Sequence, residues 1–395
     1  MKNRFLKVFL LAFVVAVMFS VAVSAAHSGT CGENLTWTLD DEGTLTISGE
    51  GDMTGWGLYD NSPWDEYSSS ITKIEIGNGV TSIIPGAFNS CSKINELVIP
   101  SGTKQLGVLS FTNKEELKVV LSEGVTHINV QAFDSIQKLT VVIPSTLQYI
   151  GGYTFARCPD VTIELSADNP YFTMVDGVLY TSDMKKLVYA LPTLTGDFTV
   201  PSSVTSICDG AFVFSKLDSL IIPDTVTSMY DNADDPLLNA DENYWGVSGR
   251  IFPNASIKNI TIGKNIEYLA DCCFYSCEGV ESVTILNKNI EFNDNAILYC
   301  DGLTLYGYSG STTETYAKEN DIPFVPLEEQ DFIPGDANSD GTVNNRDAAR
   351  ILQYVAGWDV EINLDAANVN GDTSVNNRDA ARILQYIAGW DVTLD

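Results

Sequence analysis

Positive charge is scarce in this 395-residue chain: 22 lysines and arginines stand against 52 aspartates and glutamates, for a formal net charge of −30. No basic patch of any length interrupts that acidity, so phosphate backbones and anionic lipid surfaces are repelled and nucleic acid is excluded as a partner. Histidine is almost missing. The 2 present, His27 and His127, do not give paired zinc-ligand spacing with Cys272, Cys273 and Cys277. No nucleophile motif accompanies either one, so nothing in the chain points to catalysis. Long hydrophobic runs are absent after Val23, and no later segment is long enough to cross a membrane. The early run from Val8 to Val23 follows Lys2, Arg4 and Lys7 and precedes Ser24, Ala25 and Ala26. That order is the pattern of a secretory signal peptide over residues 1–26. As a membrane anchor the run is short, about 16 residues against the roughly 20 required. The mature protein is expected to be exported and free of membrane spans.

Export would ordinarily turn 8 cysteines into disulfides. Their positions argue otherwise. Cys91, Cys158, Cys277 and Cys300 each fall three residues after a comparable apolar position, namely Phe88, Phe155, Phe274 and Ile297. A cysteine in one repeated slot behaves as a small buried hydrophobe. A Cys277–Cys300 bridge between neighbouring repeats stays open, provided that their Cα atoms lie within about 7 Å.

What the chain has in abundance is internal repetition. Short apolar runs end at Ile76, Ile99, Leu121, Ile143 and Leu165, separated by 23, 22, 22 and 22 residues, and the period resumes from Val200 to Ile222 and from Ile262 to Ile285. Phe88, Phe111, Phe133 and Phe155 keep step with it, and Phe212, Phe274 and Ile297 take the same place later. Each unit joins a strand such as ELVIP or TVVIP to a GVTSI turn and a GAF segment. Proline cannot donate to a ladder, which puts Pro100, Pro144, Pro201 and Pro223 at strand ends. One unit cannot bury its own apolar face. Stacked at about 4.8 Å per rung, the strands form a parallel sheet and the Phe and Ile slots form internal ladders.

The repeat GVTSIIPGAFNSCSKINELVIP resembles the BspA-like leucine-rich repeats of bacterial surface proteins. The likeness extends to CGENLTWTLDDEGTLTISGEGDM as an N-terminal β-hairpin cap and to LYGYSGSTTETYAKENDIPFVPL as a closing segment. It implies an α/β repeat solenoid over residues 71–326 behind a cap over residues 27–70. Two interruptions are expected, near residues 166–199 and 226–257. The first reads as a β-hairpin with its turn at Ser182 to Lys185, the second as an acidic, aromatic loop.

After a linker over residues 327–334, residues 335–395 carry two copies of one unit, 32 residues apart. Calcium takes six to eight oxygens, which an EF-hand-type loop supplies from positions 1, 3, 5, 7, 9 and 12. The first copy offers Asp336, Asn338, Asp340, the Thr342 carbonyl, Asn344 and Asp347, with Gly341 at the sharp turn. The second offers Asn368, Asn370, Asp372, the Ser374 carbonyl, Asn376 and Asp379. Asn368 replaces a carboxylate and Thr373 replaces the turn glycine, so the second of two Ca2+ sites is expected to be weaker. Helices should follow from Arg346 to Ala356 and from Arg378 to Ala388, closed by Gly357 and Gly389. Ala348, Ile351, Leu352 and Val355 are expected to pack on Ala380, Ile383, Leu384 and Ile387.

These duplicated loop-helix units resemble a type I dockerin, a small all-α calcium-binding domain. The resemblance implies docking onto a cohesin domain of a scaffoldin, through Asn345, Arg346 and Arg350 in one copy and Asn377, Arg378 and Arg382 in the other. It further implies a secreted, cellulosome-associated or cell-surface protein serving polysaccharide breakdown. The repeat array is read as a non-catalytic interaction module with an unassigned protein or polysaccharide target. The alternative is sugar binding through Trp56, Trp64, Tyr244 and Trp245. A hydrolase is the third reading, and it would need two carboxylates about 5 to 10 Å apart in a cleft.

Overall fold

The computed structural model describes residues 25–55, 60–229, 251–277, 279–328, 332–370 and 374–394. Apart from Ala25 and Ala26, the expected signal peptide lies outside the described residues. The chain divides into two compact units, Met1–Val325 and Pro326–Asp395.

The first unit opens with three antiparallel strands, β1 (Ala25–Thr30), β2 (Leu35–Asp40) and β3 (Thr44–Gly49). Successive side chains of a strand face opposite ways, and here Leu35, Trp37, Leu39, Leu45 and Ile47 are the buried set. β3 pairs in parallel with Lys73–Ile76, Ile47 opposite Ile76, and so covers the first coil. From there the strands run parallel at the period of the sequence. Ile99 stands opposite Leu121, and Ile143 opposite Leu165. In the later coils Ile222, Ile262 and Ile285 form one continuous row. Pro100, Pro144 and Pro223 directly follow strand ends, and Pro201 comes two residues after one. A second ribbon aligns Ile83, Leu106, Ile128 and Ile150, all buried.

The third ribbon carries the aromatic slot. Rings stack from Trp64 to Phe88, Phe111, Phe133 and Phe155 with centroids 5.7, 5.7, 5.8 and 6.2 Å apart. In the second half Phe212, Phe252 and Phe274 continue the pattern at 5.7 and 4.7 Å. Phe252 falls inside the span expected to be a patternless insertion. The structure returns it to the stack, because the IFPN segment repeats the slot without its GA prefix. Residues 230–250 of that insertion lie outside the described residues. Two positions before the aromatic the backbone is left-handed in coil after coil, at Gly86, Leu109, Gln131, Tyr153, Gly210 and Cys272. Such a conformation costs a side-chain-bearing residue about 1–2 kcal/mol. At Gly210 no side chain would fit, since a Cβ would stand 2.5 Å from the Tyr153 ring.

Three residues after the aromatic comes the slot that holds Cys91, Lys114, Ile136, Cys158, Ser215, Ala255, Cys277 and Cys300 in successive coils. Where this residue can donate a hydrogen bond, it often caps the carbonyl of the preceding aromatic position. The Cys277 thiol donates to Phe252 at 3.0 Å, the Cys300 thiol to Phe274 at 3.6 Å and the Lys114 ammonium to Phe88 at 3.2 Å. Burial pushes the Cys91 and Cys158 thiols up to about 12, which makes them inert packing groups.

The expected hairpin turn at Ser182 to Lys185 is present, between Val178–Thr181 and Lys186–Ala190. The segment is no excursion, however. With Phe172–Val175 it makes a three-stranded meander whose last strand rejoins the stack, Leu187 opposite Ile207. Leu179, Val188 and Tyr189 pack into the core that begins at the cap, whereas Val178, Tyr180, Leu187 and Ala190 pack into the core of the later coils. The meander is thus a wall between two cores, and Tyr189 extends the aromatic ladder beyond Phe155 at 4.7 Å. At the far end helix α1 (Thr312–Glu319), capped by Ser311, seats Tyr316 and Ala317 on the last coil.

Candidate functional site

The second unit contains helices α2 (Asn345–Val355), α3 (Leu364–Ala367) and α4 (Asn377–Ile387). α2 and α4 begin one residue earlier than expected, because Asn344 and Asn376 serve as N-caps: each side chain accepts from the backbone N–H two residues on, at 2.9 and 2.8 Å. Both helices end where Gly357 and Gly389 turn left-handed, with φ 78° and 76°. The short α3, with Asn363 as its cap, was not anticipated, although an asparagine ahead of Leu-Asp-Ala-Ala is a legible start signal.

In the first loop the polar side chains fold inward onto its own amides. Asp336 accepts from the N–H of Asp340 at 3.0 Å and of Gly341 at 2.8 Å. Asn338 Oδ1 accepts from Asp340 N–H at 2.9 Å, and Asp340 Oδ1 accepts from the Thr342 N–H at 3.0 Å and hydroxyl at 2.7 Å. The Thr342 hydroxyl holds the Asp340 carboxyl below its ordinary pKa. Asn344 donates to the Thr342 carbonyl at 3.1 Å. Asp347 bridges the two ends, accepting from Asn338 N–H at 3.1 Å and from Asn344 N–H at 2.8 Å. Gly341 takes φ 86°, the turn expected of it.

Part of this geometry recurs among the described residues of the second loop. Asp379 accepts from Val369 N–H at 3.0 Å and from Asn376 N–H at 2.8 Å, and Asn376 donates to the Ser374 carbonyl at 2.8 Å. Asn368 closes α3, and Asn370 follows it. Asp372 and Thr373 lie outside the described residues.

Two observations bear on a cation. Among the described residues no three acidic, histidine or cysteine side chains converge into a metal cluster. Yet Asp336, Asp347 and Asp379 are 5%, 0% and 0% exposed, and among the described ion pairs none involves them. A buried carboxylate held only by neutral amides is costly. Each of these oxygens retains a free lone pair beyond its amide bond. The donor set of carboxylates, amides and a carbonyl is all hard oxygen, which fits Ca2+ and suits zinc poorly.

The helices pack less completely than expected. Ala348 and Ile351 do meet Ala380 and Ile383, joined by Ala337, Ala367 and Val369. Leu352 and Val355 stay 45% and 41% exposed, and Leu384 and Ile387 46% and 43%. A unit of two long helices and two loops has only enough volume to cover one row of each apolar stripe, and the second row is left in solvent. Beside it stand Tyr354 and Tyr386, and Trp358 and Trp390 at 63% exposure each, which the sequence reading passed over although the duplicated YVAGW and YIAGW segments announce them. Asn345, Arg346, Asn377 and Arg378 are exposed at the helix starts. Arg350 and Arg382 are spent partly on structure, donating to the carbonyls of Glu361 at 3.0 Å and Thr393 at 2.7 Å.

Of the rings considered for sugar binding, Trp64 is wholly buried and donates to the Ala87 carbonyl at 3.0 Å, so it is a core residue. Trp56, Tyr244 and Trp245 lie outside the described residues. Among the described residues no helix is long and apolar enough to cross a membrane.

Comparison with known families places the BspA type leucine rich repeat region on residues 66–173, 188–233 and 238–318, in 6 copies, and the dockerin type I domain on residues 334–388. No curated protein matches. A leucine-rich repeat protein from Eubacterium ventriosum is 19% identical with a TM-score of 0.51, over 71% of this chain and 84% of its own. The pneumococcal vaccine antigen PcpA is 13% identical with a TM-score of 0.47, over 77% of this chain and 100% of its own. A leucine rich cell surface protein from Faecalibacterium prausnitzii is 21% identical with a TM-score of 0.38, over 75% and 97%. The first of these shares the solenoid fold. Repeats and dockerin together describe a module for protein–protein interaction.

Proposed function

The chain belongs to the BspA type leucine-rich repeat family and ends in a type I dockerin domain, and from that premise we propose that it is a secreted, non-catalytic component plugged by calcium into a cohesin domain of a scaffoldin. In that setting it serves polysaccharide breakdown, and its solenoid offers a broad face to a further protein. Ca2+ would be held in the first loop by Asp336, Asn338, Asp340, the Thr342 carbonyl, Asn344 and Asp347. Asn368, Asn370, Asp372, the Ser374 carbonyl, Asn376 and Asp379 would hold it in the second. When bound, the ion neutralises carboxylates that are otherwise buried beside amides alone. The protein's own residues do the rest: Asp347 and Asp379 tie each loop to its helix, and the helices present the docking rows.

The observation that carries this reading is the pair of exposed apolar rows, Leu352, Val355 and Trp358 on one unit and Leu384, Ile387 and Trp390 on the other. Aromatic anchors rimmed by arginine are the composition of protein-binding hot spots. Asn345, Arg346 and Arg350, with Asn377, Arg378 and Arg382, supply that polar rim. Binding of the full chain to an immobilised panel of cohesin domains tests it. Capture should occur in millimolar Ca2+ and be lost in chelator. Capture by no cohesin, or capture indifferent to chelation, would overturn the reading.

A further inference from the structure

Of the cysteines that occupy the slot three residues after the aromatic, only Cys277 and Cys300 stand on adjacent rungs. Cys91 and Cys158 are separated by the coils that carry Lys114 and Ile136. Phe274 lies opposite Ile297 and Tyr275 opposite Leu298 in a parallel pair, and Cys277 and Cys300 each come two residues after the end of these short strands, so they hold equivalent places on neighbouring coils. Parallel neighbours are about 4.8 Å apart, inside the roughly 4.4–6.8 Å between Cα atoms that a disulfide requires. The side chains also point the same way, because each thiol donates to the carbonyl of the aromatic slot one coil back.

We infer that Cys277 and Cys300 are a redox-modification site, a dithiol that small-molecule disulfides oxidise to a staple joining the last two aromatic-slot coils of the solenoid. The two thiols influence each other directly, which lowers the pKa of Cys300 and raises that of Cys277. Access agrees with this polarity. Cys300 is half-buried, whereas Cys31, Cys91, Cys158, Cys208, Cys272, Cys273 and Cys277 are all buried. The Cys300 thiolate attacks one sulfur of an oxidised glutathione and expels the first glutathione thiolate. Cys277 then loses its proton to solvent, attacks the Cys300 sulfur of the mixed disulfide and expels the second. One S–S bond forms and one breaks, and two electrons and two protons pass to glutathione. The cross-link closes a loop of one repeat and removes freedom from the unfolded chain.

The test uses the full chain, folded in Ca2+, incubated with oxidised glutathione, quenched and denatured without reductant. Titratable thiols should fall from 8 by two, and a peptide map should link the peptides that contain Cys277 and Cys300. The Cys300→Ser chain should keep all of its remaining thiols under the same treatment, and because oxidation of the unaltered chain is read independently, poor folding of that variant would not decide the matter. Retention of all thiols by the unaltered chain would overturn the proposal. So would arrest at a glutathione adduct on Cys300, or a link between any other pair.

Discussion

Lys114 occupies a position where other coils place cysteine, isoleucine, serine or alanine. It is 2% exposed, and its ammonium donates to the carbonyls of Phe88 at 3.2 Å and Cys91 at 2.9 Å. Burial lowers its pKa to about 8 from an ordinary 10.5. A lysine whose folded pKa is depressed binds its proton more weakly folded than unfolded. Below about 8 both states are protonated and the burial cost is carried in full; it fades as pH rises from about 8 towards 10.5. Urea midpoints of the unaltered chain should therefore gain on those of Lys114→Met between these two values, and parallel curves would refute the assignment. The lysine itself was in plain view as a residue, but its burial was not, because KEELK reads as an exposed stretch until the register sets Lys114 opposite Ile136.

At the scale of the element, the aromatic ladder and the docking helices make opposite predictions. Phe133 is fully buried between Phe111 and Phe155. Phe133→Ala should cost about 3–5 kcal/mol of solenoid stability, since it leaves a cavity that two flanking rings cannot fill. Chemical denaturation monitored on the β signal measures it. Trp358→Ala should change stability by no more than about 0.5 kcal/mol, as expected for an exposed side chain. Its effect belongs to binding. With a second matching face, either Trp358→Ala or Trp390→Ala alone should leave cohesin affinity nearly intact, while the double substitution should weaken it by roughly 30-fold, about 2 kcal/mol. Calorimetry of the three variants decides between twin and single faces. Periodicity revealed the helices and the ladder, but it could not say how wide a stripe each helix would bury. That depends on how much partner there is to bury against, and Leu352 and Leu384 show the shortfall.

For the whole molecule the two units should respond differently to loss of calcium. The second unit has a core of seven small or medium apolar residues, Ala337, Ala348, Ile351, Ala367, Val369, Ala380 and Ile383. So small a core leaves metal binding to supply much of its folding free energy. The solenoid has two far larger cores to fold on. Chelation of the full chain should abolish the helical circular dichroism of the tail and leave the β signal, and a calcium titration should show two unequal affinities, with Asn368 in place of a carboxylate marking the weaker loop. Two equal sites, or a tail that stays helical in chelator, would contradict this.

The period, the strand and ring ladders, the duplicated loops and the closing glycines are legible in the amino-acid order alone, because each of these is a local repetition with a local physical cause. Which positions those ladders draw in depends on the packed fold. It returned Phe252 to the stack, made the meander near Tyr189 a wall between two cores, buried Trp64 and left Trp358 and Trp390 in solvent. Burial is settled by what stands on the other side of a residue, and in a solenoid that neighbour is a coil away in the chain.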